Sequence, residues 1–447
     1  MLPKFKYEYV SYDELLKAYL DCRKRKRRTA NSCMFEMFET EKLFQLYIDL
    51  NNRKYEVGRS IAFTVRRPVI REVFAADFRD RVVHHLLINR IKDFFEEEFI
   101  EDSYSCRVGK GTEYAIQRCK YHIEECSEKY TKDAYIYKGD LKSFFMTIDK
   151  EKLYERLCKF LKDKGNMSDI DYEYNCWLIK IIIFNEPQKN CILKQKKSCW
   201  KNLPKNKSLF YCDKNHGLPI GNLTSQLFAN FYLSEFDHWM NEEFGFIHYG
   251  RYVDDFFIVD NDKEKILKAL PKIKEKLKEY GVILHPKKFY LQNVKKGIKF
   301  VGGVIKENRI YVAKRTIGNA WEAAVKIRHL LDTYPGDKLV IEHCNNVINS
   351  YLGFLRHRNS YRVRKKMLNW DILKPFWKYS YYDKDYKKVT VFIEYCDAGC
   401  NPKKHQSKEF HELNSKKETE ALARWLKKRG YFDEKNSDDI RKNTVSR

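Results

Sequence analysis

Gly250-Arg251-Tyr252-Val253-Asp254-Asp255-Phe256-Phe257-Ile258-Val259 is the stretch on which the fold turns. Two adjacent carboxylates flanked on both sides by aromatic and β-branched residues predict a tight strand-turn-strand hairpin with the acids at its tip. Alone the pair says little, because Asp is a common turn residue and most such pairs are merely solvated. A third acid gives it weight. Ala134-Tyr135-Ile136-Tyr137-Lys138-Gly139-Asp140-Leu141-Lys142-Ser143-Phe144-Phe145 predicts a strand that delivers Asp140 at its end, with a helical pattern starting near Asp149. Hard oxygen ligands on rigid turns suit Mg²⁺, and two such ions about 3.5–4 Å apart serve the in-line transfer of a nucleotidyl group.

In their order along the chain, these and other segments resemble a reverse transcriptase. After the strand ending in Asp140 comes Gly217-Leu218-Pro219-Ile220-Gly221-Asn222-Leu223-Thr224-Ser225-Gln226, opening a helix, and then the Tyr-Val-Asp-Asp hairpin. Leu284-His285-Pro286-Lys287-Lys288 and Gly297-Ile298-Lys299-Phe300-Val301-Gly302 resemble the two blocks that follow. Upstream, Arg67 to His85 resembles the first fingers block and Ser105 to Thr112 the second, so the likeness spans about residues 60 to 365. It implies an α+β, right-hand polymerase with fingers, a split-βαβ (ferredoxin-like) palm and a helical thumb. The divisions expected are a basic helical region at 1–59, fingers at 60–133, and a palm at 134–310 with a surface insertion near 170–216. A helical thumb at 311–384 and a C-terminal extension at 385–447, matching no assigned motif, complete the chain.

The resemblance also assigns roles. Asp140, Asp254 and Asp255 are the expected catalytic acids and, with the backbone carbonyl of Leu141, the ligands of two Mg²⁺ ions. Arg67 and Arg71 are candidates for the triphosphate, since guanidinium groups make bidentate phosphate contacts. Phe145 stands where relatives place an aromatic gate against the 2′ hydroxyl, with Phe144 as the alternative. Either Lys287 or Lys288 is expected near the triphosphate. Gln226 belongs to the nucleotide-side helix block, and Arg107, Lys110, Arg356, Arg358 and Arg362 are expected on the nucleic acid. Intron-encoded relatives carry Gln and Pro where this chain has Ile220 and Gln226. The Ile-Gly-x-x-x-Ser-Gln form resembles enzymes of diversity-generating retroelements and of related bacterial antiphage defence, and replacing an amide by Ile220 implies reduced template fidelity.

Composition agrees. With 87 Lys plus Arg against 62 Asp plus Glu, the net charge of +25 attracts phosphate backbones, and 31 Tyr and 29 Phe add stacking surface. The run Arg23-Lys24-Arg25-Lys26-Arg27-Arg28 fits an RNA backbone, although such runs are commonly just solvated. No segment reaches the about 20 apolar residues of a membrane span, and Met1-Leu2-Pro3-Lys4-Phe5-Lys6 lacks a signal-peptide core, which predicts a cytoplasmic protein. Thirteen scattered cysteines fit reduced thiols. Two sets have the residue types of a zinc site, Cys396, Cys400, His405 and His411, and Cys191, Cys199, Cys212 and His216, but their spacing is loose and ordinary thiols are the better reading. His84 and His85 read as packed fingers residues.

The expected function is RNA-directed DNA polymerisation, with an RNA template, a structured noncoding RNA among the candidates, deoxynucleotides as substrates and cDNA as product. An accessory protein or a second copy would fit as partner, and a membrane would not. The alternative is an RNA-binding maturase or scaffold that uses the polymerase fold to hold a structured RNA. The acids weigh against a catalytically dead version of it, and the Phe gate weighs against an RNA-templated RNA polymerase.

Overall fold

The computed structural model describes residues 5–24, 29–66 and 69–392, and the chain divides into two compact units, Met1–Thr316 and Ile317–Arg447. The first unit opens with α1 (Tyr12–Arg23), α2 (Ala30–Glu36) and α3 (Glu39–Asn51), then a hairpin of β1 (Ser60–Val65) and β2 (Arg71–Ala75), then α4 (Phe78–Glu98) and α5 (Thr112–Cys126). Strand β3 (Tyr135–Asp140) leads through the short α6 (Phe144–Thr147) into α7 (Lys150–Lys164), α8 (Asp169–Phe184), β4 (Cys191–Leu193), α9 (Leu223–Phe231) and α10 (Ser234–Phe244). Next come β5 (Tyr249–Tyr252), β6 (Asp255–Asp260), α11 (Lys263–Glu279), β7 (Tyr290–Asn293) and a meander of β8 (Ile298–Phe300), β9 (Gly303–Lys306) and β10 (Arg309–Val312).

The central sheet has the order β5-β6-β3-β7 with every pair antiparallel. With helices between β3 and β5 and again between β6 and β7, this is the ferredoxin-like topology the sequence implies. Both faces are covered, and the alternation of side chains along a strand decides which residue goes where. Tyr137, Phe256 and Ile258 enter the large core with the helices, while Ile136, Phe257 and Val259 meet Ile116 and Ile123 of α5 and Ile298 and Ile305 of the meander. Two buried faces account for the unbroken apolar run Phe256–Val259. Gly139 permits the close crossing: a Cβ there would stand 2.3 Å from the Phe256 ring.

The described residues before 60 have no core of their own. Leu15, Tyr19, Leu43 and Leu50 share one core with Phe78, Val82, Tyr174 and Leu178. The segment 170–216 also departs from a surface elaboration of the palm. Its first part is α8, with Tyr174, Leu178, Ile179 and Ile183 buried. Its second part joins the fingers hairpin, β4 running parallel to β1 with Ser60 opposite Cys191. Buried Glu72 of β2 ties it down, accepting from Trp200 Nε1 (2.8 Å), Ser208 Oγ (2.7 Å) and the Leu209 N–H (2.7 Å). Burial pushes the Glu72 carboxyl up and these three donors pull it back, as a satisfied buried acid requires. The Lys-rich composition correctly marks exposed side chains, but says nothing of where the backbone docks.

The second unit holds most of α12 (Lys314–Thr333), followed by α13 (Lys338–Leu355), α14 (Tyr361–Leu368) and a hairpin of β11 (Ser380–Tyr382) and β12 (Val389–Val391). Ile341, Cys344, Ile348 and Leu352 recur at helical spacing as the buried stripe of α13, and Asn349 bonds both the N–H and the carbonyl of Val389. The expected boundary at 384 therefore falls inside a hairpin. Arg67, residues 25–28 of the basic run, and Cys396, Cys400, His405 and His411 lie outside the described residues. No helix among the described residues is long and apolar enough to cross a membrane.

Candidate active site

Tyr252 pairs with Asp255 across the β5–β6 hairpin, leaving Val253 and Asp254 as a two-residue loop. Val253 sits at φ +57°. A β-branched residue in that region is strained by on the order of 1–3 kcal/mol, so the surroundings must hold it. Arg251, fully buried, does so. Its Nη1 donates to the Val253 carbonyl (3.1 Å) and to Asn230 Oδ1 (3.0 Å), Nη2 donates to the Asn230 carbonyl (3.0 Å), and Nε donates to Asp237 Oδ1 (2.7 Å). The Tyr249 hydroxyl donates to the same Asp237 oxygen at 2.6 Å. The turn is thus tied to α9 and α10 by a buried ion pair. Sequence reasoning missed this network, although an arginine inside an otherwise apolar strand was its signal.

A second brace lies alongside. The Tyr104 N–H donates to the Arg251 carbonyl (3.0 Å) and the Arg251 N–H to the Asp102 carbonyl (2.9 Å). Asp102 receives Arg118 bidentately at 2.7 and 2.8 Å, and the Tyr104 hydroxyl at 3.0 Å. Gly250 lets this brace approach, since a Cβ there would meet Tyr104 Oη at 2.3 Å.

Asp140 stands directly opposite Asp255 in the β3–β6 ladder, and the Leu141 N–H donates to the Asp254 carbonyl at 3.1 Å. Sheet pairing thus brings Asp140, Leu141, Asp254 and Asp255 to one end of the sheet. Like charges across a ladder repel. Burial, then the charges of Asp255 and Asp140, push the Asp254 carboxyl up to about 6, while Arg71 pulls against them. Burial also raises Asp255, against Lys138. Lys138 Nζ lies 3.3 Å from Asp255 Oδ1, and Lys288 Nζ lies 2.7 Å from Asp140 Oδ2. Three carboxylates converging at one end of the sheet, two of them now held only by lysine ammonium groups, fit a divalent cation. No group of three His, Cys, Asp or Glu among the described residues stands at ligand spacing in this arrangement, in which the two lysines hold two of the acids.

The other candidates fall into two groups. Arg71, exposed at the start of β2, reaches Asp254 and Tyr252 with its charge. Phe145 is half-buried, edge-on to Phe144 at 6.0 Å and packed with Ile220 on the small cluster of Ala62, Phe74, Met146 and Leu209, whereas Phe144 is buried in the core. Ile220 accepts from the Phe74 N–H at 2.9 Å. Gln226 is exposed, with Cys106 Sγ 3.6 Å from its Oε1. Lys288, and not the equally exposed Lys287, touches an acid of the set.

Three basic residues expected on the nucleic acid have partners within the fold. Arg107 is buried against Phe99, with Nε on Glu96 at 2.8 Å and Nη1 on the carbonyls of Ile100 and Ser103. Lys110 bonds the carbonyl and carboxylate of Glu101. Arg358 is buried beneath the end of α13, with Nη1 on the Phe354 carbonyl at 2.6 Å. In each case carbonyls near a helix end or a nearby acid engage the charged group. Arg356 and Arg362 are exposed. His84 is a packed residue, with Nδ1 2.6 Å from Thr224 Oγ1. Cys191, Cys199, Cys212 and His216 form no metal cluster, and His216 pairs with Asp213 at 3.0 Å.

A family model described as reverse transcriptase (RNA-dependent DNA polymerase) matches residues 70–305. Protein YkfC of Escherichia coli (strain K12) is 22% identical over 166 residues, 37% of this chain and 36% of that protein, so the matched part spans about a third of that relative. Among solved structures, apo telomerase from Candida tropicalis, truncated from its C-terminal domain, aligns with a TM-score of 0.41 at 14% identity, over 57% of this chain and 55% of that one. Telomerase from Candida albicans with a TWJ fragment of telomeric RNA aligns at 0.40 and 13% identity, over 72% and 55%.

Proposed function

Because the chain belongs to the reverse transcriptase (RNA-dependent DNA polymerase) family, we propose that it copies an RNA template into cDNA at the Asp140, Asp254 and Asp255 cluster. The observation that carries this reading is the convergence of Asp140 and Asp255 on two paired strands with Asp254 in the adjoining turn, next to Arg71 and Lys288. Asp140, Asp254 and Asp255, with the Leu141 carbonyl, would hold two Mg²⁺ ions. When bound, these supply the positive charge that acidifies the primer 3′ hydroxyl and offsets charge on the leaving pyrophosphate. Arg71 orients the triphosphate. Lys288, now paired with Asp140, would be available to phosphate oxygen once the acids held metal, and Gln226 lies on the nucleotide-side helix. Exposed Arg356 and Arg362 are the thumb residues available to a duplex backbone. The test is primed synthesis on RNA with Mg²⁺ and deoxynucleotides: a labelled cDNA is expected, and product formed from ribonucleotides only would overturn the reading.

The wider setting we infer is a diversity-generating retroelement or an antiphage defence system, with cytoplasmic residence and a structured noncoding RNA as partner. Neighbouring genes separate the two: a template/variable repeat pair with a small accessory gene, or a defence island with a noncoding RNA. In the retroelement setting the apolar contact at Ile220 loosens template reading.

Two further results are expected. Phe145→Ala opens the floor beneath the sugar and admits ribonucleotides, read as the ribo- to deoxynucleotide ratio in single-turnover extension. Relaxation by Phe144→Ala alone would move the gate by one residue. Second, metal binding needs Asp254 ionised, and its folded value of about 6 lies above the ordinary 3.8. Below that value the proton is bound and competes with metal. Apparent Mg²⁺ affinity, followed by thermal shift, should therefore weaken by about tenfold from pH 7 to pH 5, and Asp254→Asn should flatten that dependence.

A further inference from the structure

The segment 189–214 carries eight lysines and one acid, Asp213. All eight are exposed, and among the described residues only Lys189 has a carboxylate partner, Glu186 at 2.8 Å. So dense a positive charge would be costly on a segment that docked against protein alone, yet the Glu72 clamp and the β1–β4 pairing hold the backbone in place. At its foot is a cavity of about 400 Å³, lined in part by Lys142, Ser143, Lys205, Asn206, Tyr211 and His216. That volume lies within the usual range for one small ligand, about 300–1,000 Å³. Tyr211 is 65% exposed, with Lys205 Nζ 5.4 Å from its ring centroid. Asn206 Nδ2 donates to Ser143 Oγ at 2.8 Å, joining the segment to the turn after Asp140. None of Arg71, Phe145, Ile220, Asp254 or Asp255 lines the cavity, although Lys142 and Ser143 directly follow Asp140 and Leu141 in the chain.

An open aromatic ring, neighbouring ammonium groups, an amide and a hydroxyl match the parts of a nucleotide. The ring stacks on a base, the lysines meet phosphate, and the amide and hydroxyl reach polar edges. Seven exposed lysines without a carboxylate partner, of which Lys205 lines the cavity, match a longer polyanion better than a single small one. We propose that the 189–214 segment is a second nucleic-acid site, which grips single-stranded RNA outside the catalytic channel and seats one unpaired nucleotide on Tyr211. That the strand is RNA rests on the template reading above. The grip itself does not, and it is measured without synthesis.

The experiment is fluorescence anisotropy of the full chain with a labelled single-stranded oligoribonucleotide over a salt series, beside a blunt RNA–DNA duplex. Lys201→Glu/Lys205→Glu/Lys207→Glu should weaken single-strand binding more than tenfold and lower the log–log salt slope by about 2, since each single-strand phosphate contact contributes roughly 0.7. Tyr211→Ala should weaken it about tenfold and Tyr211→Phe should not, because stacking needs the ring and not the hydroxyl. Unchanged affinity and slope in the lysine variant would overturn the proposal, as would an equal loss on the blunt duplex. Displacement of the oligonucleotide by millimolar nucleoside monophosphate, absent in Tyr211→Ala, would put a free nucleotide in the cavity and overturn the strand assignment. Loss of binding in the variants of a protein that makes no cDNA would sink the polymerase reading and leave this one standing.

Discussion

Asp254→Ala is expected to abolish cDNA synthesis, with a loss of at least about a thousandfold, while RNA binding stays near wild type. The magnitude follows from what the acid does: withdrawing a ligand of catalytic metal removes several kcal/mol of transition-state stabilisation, and each 1.36 kcal/mol is about tenfold in rate. The fold should not suffer. The Asp254 carboxyl is raised to about 6, so its ionisation costs native stability as pH rises through that value, and an uncharged methyl relieves the cost. Melting at neutral pH should be unchanged or slightly higher. Primer extension by the purified variant, with anisotropy on the same RNA, separates an enzyme from a scaffold. A scaffold would keep its biological activity without the acid, and retained synthesis would remove Asp254 from the mechanism.

Arg251→Met has the other large effect, and it falls first on stability. The guanidinium is fully buried, its ion pair is with Asp237, and it donates to the Val253 carbonyl that fixes the turn. Removing it strands a buried carboxylate, a loss of about 3–5 kcal/mol when only one partner of such a pair is taken away. Denaturant titration should show the midpoint falling. Arg251→Met combined with Asp237→Leu should recover much of that stability, because the stranded charge is gone. Synthesis should stay low in the double variant, since the strained Val253 conformation still lacks its tether. Full activity in the double variant would show that the turn holds itself.

The α+β polymerase class was legible because its signals are local. An apolar run that serves as a strand and a two-residue turn between apolar runs are each written within a dozen residues, as at Phe256–Val259 and Val253-Asp254. The three acids were found the same way, since each ends a strand or fills a turn. The choice between Phe144 and Phe145 could not be, because adjacent residues differ only in which neighbour covers them, and the cover over Phe144 is the distant core.

What only tertiary structure decided is how charges and segments far apart in sequence are paired. Arg107, Lys110 and Arg358 look like phosphate ligands by residue type, yet helix-end carbonyls and local acids take them. Arg251 looked like the flank of a motif and is its anchor, through Asn230 and Asp237 on two helices. The 170–216 segment divided into a core helix and an edge of the fingers sheet because Glu72 meets Trp200 across 128 positions. The sequence by itself determined the secondary elements and the strand ends and turn that carry the three acids, since backbone geometry and side-chain periodicity act over a few residues. Which basic groups are consumed within the fold and which stay open to nucleic acid depends on burial and on partners brought together only when the chain closes, and no local pattern encodes that.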